Sequence, residues 1–283
     1  MTAILENVKK RTSNAPHSEA GTLSLHPSGR DVLLFTGNYG SGKTEVSVNV
    51  VRSLALSGEK VLIADLDLVN PYFRCREARE PLEELGVRVV APEGGMHSAD
   101  LPIVLPEVQG AIERPEGISV LDVGGDNVGA TVLASLTPLF RRNPYEMYFV
   151  LNRNRPFTDT VEGALRYMDE IEQASRLSIT AVVGNTHLME ETDLAMARAG
   201  AEFALEVAGA RGIPVAYVTA PREALAVEGW ITAGDERQKL IMVDGFPAPV
   251  LPLKRIMLPP WLGGPAPGSM ATHARDNFAR LTR

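Results

Sequence analysis

A glycine-rich segment followed by a lysine and a threonine could bind phosphate. Residues 37–44 read Gly-Asn-Tyr-Gly-Ser-Gly-Lys-Thr and fit the pattern G-x-x-x-x-G-K-[ST]. Glycines let backbone N–H groups turn towards an anion, and the start of a following helix adds its dipole. We expect Lys43 to contact the β- and γ-phosphates of a nucleotide and Thr44 to hold Mg²⁺. The residues expected to contact the nucleotide are Gly37, Asn38, Tyr39, Gly40, Ser41, Gly42, Lys43, Thr44 and Glu45.

Carboxylates at the ends of two predicted strands add to this site. The segment VLIADLDLVNP carries Asp65 and Asp67, and ISVLDVGGD carries Asp122 and Gly125. Because hydrolysis needs a metal ion near the phosphates, we expect Thr44, Asp67 and Asp122 to form the metal set. The Asp-x-x-Gly spacing would bring the backbone N–H of Gly125 to a γ-phosphate, in a loop that reorders on hydrolysis. For Asp65, a helix cap or a strand-end salt bridge is the alternative.

A parallel sheet would bring these residues to one edge, and the sequence predicts such a sheet. Short apolar runs rich in β-formers alternate with segments of helical period. This alternation predicts a three-layer, doubly wound α/β fold with a mostly parallel sheet, of the P-loop NTPase type. Past Pro221 the pattern weakens, and short strands are predicted at KLIMVDG and KRIMLP. The earlier predicted strands are DVLLFT, KVLIADL, a run ending in VRVVAP, ISVLDV, EMYFVL, SITAVVG and PVAYVTA, with helices near 43–57, 129–140, 158–176 and 192–211.

Three stretches divide the chain by composition. Residues 1–30 mix charged, small and proline residues without an apolar period, which predicts a flexible N-terminal arm. Residues 31–262 form the predicted nucleotide-binding domain. Residues 263–283 begin with glycines and prolines and are predicted to be a C-terminal tail.

Composition and charge exclude several classes of protein. Hydrophobic residues make up 45% and charged residues 22% of the 283 positions, and the formal net charge is −7. These values exclude a disordered acidic tail and a basic nucleic-acid module, and the basic clusters are small. The single cysteine, Cys75, cannot form an intramolecular disulfide, which favours a reducing cytoplasm. No apolar run approaches the ~20 residues of a membrane span, so no membrane partner is expected. Because the net charge is negative and the basic clusters are small, no nucleic-acid partner is expected either.

Four segments in this order, FTGNYGSGKTEV, VLIADLDLVNP, VLDVGGD and VVGNT, resemble the MinD/ParA/CobQ-type P-loop ATPases. That family belongs to a wider group with nitrogenase iron protein and the signal-recognition GTPases, and the resemblance covers about residues 31–222. It implies an ATPase that binds ATP or ADP with Mg²⁺ and often works as a nucleotide-dependent homodimer. Under the resemblance, Asp67 orients the attacking water and Asn185 reads adenine. The loop at Ala220 and Pro221 closes over the base. A turn role after the strand is the alternative for Asn185.

One position departs from the family. Members usually carry a lysine early in the phosphate loop that reaches the nucleotide of the partner subunit, and here that residue is Asn38. An asparagine cannot supply the positive charge that stabilises a transferring phosphoryl group. If a cation is needed, Arg74, Arg153 and Arg155 are the candidates.

The sequence favours ATP over GTP. GTPases of this class read guanine with an Asn-Lys-x-Asp segment, and the candidate segments 152–155 and 185–188 both lack the aspartate. A nickel-chaperone GTPase is disfavoured because Cys75, His97 and His187 are isolated in sequence.

Two other functions remain open. A small-molecule kinase or ligase of the dethiobiotin-synthetase or cobyrinate-amidase type would need a second substrate pocket, for which His97, Asp100 and Glu107 are candidates. A module that holds ATP without hydrolysis is the other, because of Asn38. The preferred interpretation is a Mg²⁺-dependent, slow ATPase that acts as a nucleotide-gated switch with an unidentified protein partner.

Overall fold

The computed structural model describes residues 23–26, 28–67, 78–91, 106–125, 127–232 and 239–257, without the side chains of 127 and 128. Most of the predicted arm and the whole predicted tail lie outside these ranges. Arg74, Cys75, His97 and Asp100, which the sequence analysis considered, lie outside them too. The division of the chain into arm, domain and tail therefore stays a prediction.

The apolar runs form strands and the amphipathic segments between them form helices. The described strands are β1 (Val32–Thr36), β2 (Val61–Leu66), β3 (Arg88–Val90), β4 (Ile118–Val123), β5 (Tyr145–Leu151), β6 (Ala181–Gly184), β7 (Val215–Pro221) and β8 (Val250–Leu253). The described helices are α1 (Lys43–Leu56), α2 (Arg79–Glu84), α3 (Pro106–Glu113), α4 (Asn127–Phe140), α5 (Val161–Ser175), α6 (Leu194–Arg211) and α7 (Arg222–Val227), with a 3₁₀ turn at Met189–Glu191.

All eight described strands lie in one sheet in the order β3-β2-β4-β1-β5-β6-β7-β8. Every neighbouring pair is parallel. The central strand β1 is buried along its whole length because helices cover both faces of the sheet. Leu34 belongs to the core on one face, while Leu33 and Phe35 belong to the core on the other. The predicted doubly wound α/β fold is confirmed.

Local capping fixes the ends of the two longest helices. Thr160 accepts a hydrogen bond from the backbone N–H of Gly163 at the start of α5. Asp193 does the same for Met196 at the start of α6, and Gly212 ends that helix with φ 78°. These caps set where the loops after β5 and β6 stop.

The structure corrects the prediction for the region past Pro221. The segment 239–245 contributes a single antiparallel bridge, from Ile241 to Val250, and residues 254–257 form no strand. The strand in this region is β8, which the sequence analysis missed because Pro252 lies within it. A proline is tolerated there because β8 is an edge strand that pairs with β7 alone among the described strands.

Candidate functional site

The strand order brings the predicted site residues to one edge of the sheet. Strand β4 lies between β1 and β2, with Asp122 opposite Phe35 on one side and opposite Asp65 on the other. Because all three strands run in the same direction, the segments after them meet at their carboxyl ends. The phosphate loop, Asp67 and the Gly125 loop follow these strands directly.

The phosphate loop is a tight turn that leads into α1. The backbone N–H of Ser41 donates to the carbonyl oxygen of Asn38 at 3.0 Å. Gly42, which precedes the helix, has φ 84°, a left-handed conformation that favours glycine. Lys43 is the first residue of α1, and both its side chain and that of Thr44 are buried. The dipole of α1 and the ammonium group of Lys43 therefore both place positive charge at the phosphate loop.

The carboxylate of Asp67 lies close to Lys43. The ammonium nitrogen of Lys43 is 3.7 Å from a carboxyl oxygen of Asp67, and each side chain is 6% exposed. At this separation the two groups form an ion pair but not a hydrogen bond. Asp65 accepts a hydrogen bond from the backbone N–H of Asp67 at 3.1 Å, so it shapes the turn that carries Asp67.

Asp122 is a buried carboxyl group close to the hydroxyl of Thr44. It is fully buried, and neither of its oxygens meets a donor at normal geometry in the described part of the chain. Burial raises the pKa of Asp122 to about 8; the charge of Lys43 opposes the shift, and that of Asp65 adds to it. A buried oxygen ligand beside the Thr44 hydroxyl fits the coordination of Mg²⁺ in nucleotide sites. When bound, Mg²⁺ would neutralise phosphate charge.

Gly125 packs directly on the phosphate loop. A Cβ at this position would collide with the carbonyl oxygen of Gly37, so only a glycine allows this approach. The hydroxyl of Tyr167, on α5, donates to the carbonyl oxygen of Gly125 from the other side. The loop after β4 is thus in contact with both the phosphate loop and α5.

Asn38 is tied within its own chain. Its side chain is buried and its amide nitrogen donates to the carbonyl oxygen of Pro156 at 2.6 Å. Of the cations considered as replacements, Arg155 lies against the phosphate loop, where its Nε donates to the carbonyl oxygen of Gly40 at 2.8 Å. Arg153 instead lies over the ring of Phe203, 5.3 Å from its centroid.

A cavity of about 590 Å³ begins at the phosphate loop, a volume typical of a small-molecule site. Its phosphate-loop wall includes Tyr39, Gly40, Gly42, Lys43, Thr44 and Glu45, and its far wall includes Asn185, Thr186, His187, Met189, Ala220, Pro221, Leu253 and Met257. Polar groups therefore line the phosphate-loop end. The far wall also includes Glu190, Thr192, Thr219, Glu223, Ala224 and Arg255, so both apolar and polar side chains line it.

Asn185 joins three elements at the base of the cavity. Its amide nitrogen donates to the carbonyl oxygen of Ser41 at 2.7 Å. Its amide oxygen accepts from the hydroxyl of Thr219, on β7, at 2.6 Å. The remaining amide hydrogen and lone pair are the groups that Asn185 can offer a base, so its predicted role in reading adenine stays a prediction.

His187 is a cavity residue whose role the sequence analysis missed. It follows Asn185 by two positions, in the loop after β6. This closeness to a predicted site residue is the sequence signal that could have placed His187 at the carboxyl edge of the sheet. Its Nε2 is buried and meets no hydrogen-bond partner in the described ranges. Burial lowers the pKa of His187 to about 4, and the charge of Arg155 adds to this shift. The imidazole is therefore neutral at pH 7.

Glu45 binds a segment that is distant in the chain, and its predicted contact with the nucleotide stays a prediction. Its carboxylate accepts from the backbone N–H groups of Ile256 at 2.7 Å and Met257 at 3.1 Å. Burial raises the pKa of Glu45 to about 7, although these two hydrogen bonds oppose the shift. Arg255, in the same segment, pairs with Glu190. Sequence reasoning gave no signal for this contact, because it joins residues far apart in the chain.

Other predicted features do not join the cavity. Glu107 lies exposed near the start of α3 and is not part of the cavity wall. The described residues contain no group of three or more His, Cys, Asp or Glu arranged to hold a metal ion. Within the same ranges, no helix has the length and apolar character needed to cross a membrane.

One comparison with a solved structure supports the fold. Signal recognition particle receptor FtsY from Elizabethkingia anophelis, solved in complex with GDP, is 17% identical with a TM-score of 0.50, over 85% of this chain and 68% of that one. Cell division protein FtsY from Thermotoga maritima is 18% identical with a TM-score of 0.49, over 76% of this chain and 70% of that one. No family model and no curated protein matches the sequence. At this level of identity the likeness shows the fold alone.

Proposed function

We propose that the chain is a Mg²⁺-dependent ATP-binding protein that hydrolyses ATP slowly and changes conformation or dimer state with its nucleotide. The observation that carries this proposal is the cavity itself. Lys43 and Thr44 line its polar end beside Asp122, and Ala220 and Pro221 line its other end. Such a cavity has a place for phosphates at a helix N-terminus and a place for a base.

The polar end of the cavity suits the phosphates of a nucleoside triphosphate and their metal ion. Lys43, which is 3.7 Å from Asp67 and makes no hydrogen bond to it, would move to contact the β- and γ-phosphates. Thr44 and Asp122 would hold Mg²⁺, directly or through water. Asp67, released from Lys43, would then accept a hydrogen bond from the water that attacks the γ-phosphate.

The loop after β6 favours adenine. Reading guanine needs a carboxylate that accepts from its N1–H and its amino group, and Leu188 stands three residues after Asn185 where that carboxylate would be. Glu190 and Glu223 are the carboxylates in this part of the cavity wall, and that of Glu190 is already paired with Arg255. The backbone at Ala220 and Pro221 would pack against the base.

The contact between Gly125 and Gly37 supports a switch. A γ-phosphate in the phosphate loop would meet the backbone N–H of Gly125, and its loss on hydrolysis would release the loop. Tyr167 would pass this change to α5, because its hydroxyl holds the Gly125 carbonyl. A second copy of the chain or an unidentified protein partner would bind to the surface in one of these two conformations and not in the other.

A module that binds ATP without turnover is a second candidate, and the state of Asn38 favours it. The Asn38 amide is bonded to Pro156 of its own chain, so this position does not extend a donor across a dimer. Single-turnover measurement of ATP hydrolysis separates the two candidates. Phosphate release that depends on an added carboxylate acceptor would favour a small-molecule kinase or ligase instead.

Calorimetric titration with ATP, ADP and GTP in the presence of Mg²⁺ tests the nucleotide proposal. We expect ATP to bind more tightly than GTP, and equal binding of GTP would contradict the adenine assignment. Sedimentation velocity with Mg²⁺ and a non-hydrolysable ATP analogue, with ADP and without nucleotide tests the switch. A dimer that forms with the analogue alone is the expected result, whereas an oligomeric state independent of nucleotide would contradict nucleotide-gated dimerisation.

A further inference from the structure

Arg155 lies at the middle of the phosphate loop, in the same chain. It follows β5, which pairs directly with β1, so the two loops meet at the same edge of the sheet. A Cβ added to Gly40 would be 2.9 Å from the Nε of Arg155 and 3.1 Å from its Cζ. The guanidinium group therefore lies against the backbone of the phosphate loop and forms part of the cavity wall.

The loop that carries Arg155 is held on both sides of this residue. Before it, the backbone N–H of Asn154 donates to the side chain of Asn152, which is fully buried. After it, the carbonyl oxygen of Pro156 accepts from the amide of Asn38. The hydroxyl of Thr158 donates to the carbonyl oxygen of Asn152 and closes the turn. The backbone around Arg155 is thus fixed before any ligand arrives.

The charge of Arg155 is available to a ligand. In the described parts of the chain no carboxylate oxygen lies within 4.0 Å of its guanidinium. The hydrogen bond to Gly40 uses the Nε–H and leaves the four terminal N–H groups of the guanidinium. A planar, permanently charged fork of this kind matches phosphate oxygens better than any other side chain.

We propose that Arg155 contacts the terminal phosphates of the bound nucleotide from within the same chain and stabilises the charge that develops during hydrolysis. This inference rests on the proposed function. Arg155 would supply the positive charge that Asn38 lacks. The hydrogen bond from the Asn38 amide to Pro156 stabilises the loop that contains Arg155. The site then has a phosphate-binding cation without help from a partner subunit.

The chemical step defines where this charge acts. The water oxygen forms a bond to the γ-phosphorus, and the bond between that phosphorus and the β–γ bridging oxygen breaks. The electron pair of the broken bond stays on the bridging oxygen, which becomes part of ADP. One proton of the water remains on the released phosphate and the other goes to solvent. The guanidinium of Arg155 offsets the negative charge that grows on the bridging oxygen.

The test compares Arg155→Gln and Arg155→Lys with the wild-type chain and with Arg153→Gln. Arg153 is the matched control because it lies two residues away, is exposed and packs on Phe203. Affinities for ATP, as its non-hydrolysable analogue, and for ADP are measured by calorimetry with Mg²⁺, and hydrolysis of ATP is then measured in single turnover with Mg²⁺. Circular dichroism checks that each variant is folded, and the lysine variant serves where the glutamine variant is not.

Arg155→Gln is expected to weaken ATP binding roughly tenfold while ADP binding changes less, and to slow single-turnover hydrolysis roughly 10²- to 10³-fold. Arg155→Lys keeps the charge without the planar fork and should fall between it and the wild type. Arg153→Gln should match the wild type. If Arg155→Gln keeps the wild-type ratio of ATP to ADP affinity, the inference fails while the nucleotide site stands. A wild-type chain that binds no ATP would overturn the proposed function itself.

Discussion

The carboxylate of Glu45 accepts a hydrogen bond from the backbone N–H of Met257, although 212 residues separate the two in the chain. Glu45 lies in the first turn of the helix that begins at the phosphate loop, and Met257 is a buried residue of the cavity wall. Asn49, one turn further along the helix, both donates to and accepts from the backbone of Lys254. The helix that follows the phosphate loop therefore also holds the segment 254–257 in place.

Removing the Glu45 carboxylate should release this segment. In Glu45→Ala, the N–H groups of Ile256 and Met257 lose their acceptors. Each hydrogen bond is worth about 0.5–1.5 kcal/mol where the carboxyl is neutral and about 1.5–3 kcal/mol above pH 7, where it is ionised. Hydrogen exchange measured by mass spectrometry should become faster at these amides, and nucleotide affinity should fall because the cavity wall loosens. Glu59→Ala is the control, since Glu59 is exposed just after the same helix. Unchanged protection of both amides in Glu45→Ala would contradict this account.

Lys43→Ala should remove most nucleotide affinity. The ammonium of Lys43 is buried at the N-terminus of α1, where no exposed lysine could replace its contact with the phosphates. The variant should also be less stable, because it leaves Asp67 buried without its nearby cation. Lys60→Ala provides the control, as the side chain of Lys60 is 69% exposed. Tight ATP binding by Lys43→Ala, measured by calorimetry, would rule out the phosphate-loop assignment.

Asp67→Asn should keep ATP binding and slow hydrolysis. The amide preserves the shape of the side chain but is a weaker acceptor for the attacking water, and removing such a group typically costs 10²–10⁴-fold in rate. Single-turnover phosphate release measures the effect, and calorimetry checks that ATP still binds. Asp244→Asn, at an exposed site, serves as the control. If Asp67→Asn turned over ATP at the wild-type rate, another group would have to position the water.

Gly125→Ala should disturb the switch loop. The added methyl group would collide with the Gly37 carbonyl, so the loop after β4 must move away from the phosphate loop. We expect the variant to bind ATP and ADP with nearly equal affinity, because the contact with the γ-phosphate is lost. Gly209→Ala is the control, since an added Cβ there meets no atom within 4 Å. Retention of wild-type ATP preference in Gly125→Ala would contradict the proposed sensing role.

His187 should stay neutral down to about pH 4. Its pKa is lowered from 6.5 by burial and by the charges of Arg155 and Arg255. The neutral ring therefore contributes stability above pH 6.5 that is lost as the pH falls towards 4, on the order of 3 kcal/mol. Titration of the imidazole carbon-bound protons by NMR, with His187→Gln to assign the signal, measures the midpoint. Urea unfolding should show a smaller loss between pH 6.5 and 4 in His187→Gln, and a midpoint near 6.5 would refute the burial argument.

The sequence by itself determined the fold class and where the residues that we propose bind phosphate lie in the fold. Apolar runs that alternate with helical segments permit few arrangements other than a parallel sheet, and the segments after its strands must share an edge. The pattern of residues 37–44 placed Lys43 and Thr44 at a helix start, and local spacing placed Asp122 and Gly125 beside it. These features depend on neighbours in sequence or on period, so they can be read without coordinates.

Only the tertiary structure decided which residues surround Lys43, Thr44, Asp122 and Gly125. The contact of Arg155 with Gly40, the position of His187 and the link from Glu45 to Met257 join residues that no period connects. Strand β8 was missed for a related reason: its proline argues against a strand until its place at the edge of the sheet is known. Burial, which moves the pKa values of Asp122 and His187, likewise depends on packing from distant parts of the chain, because it is packing that excludes water from them.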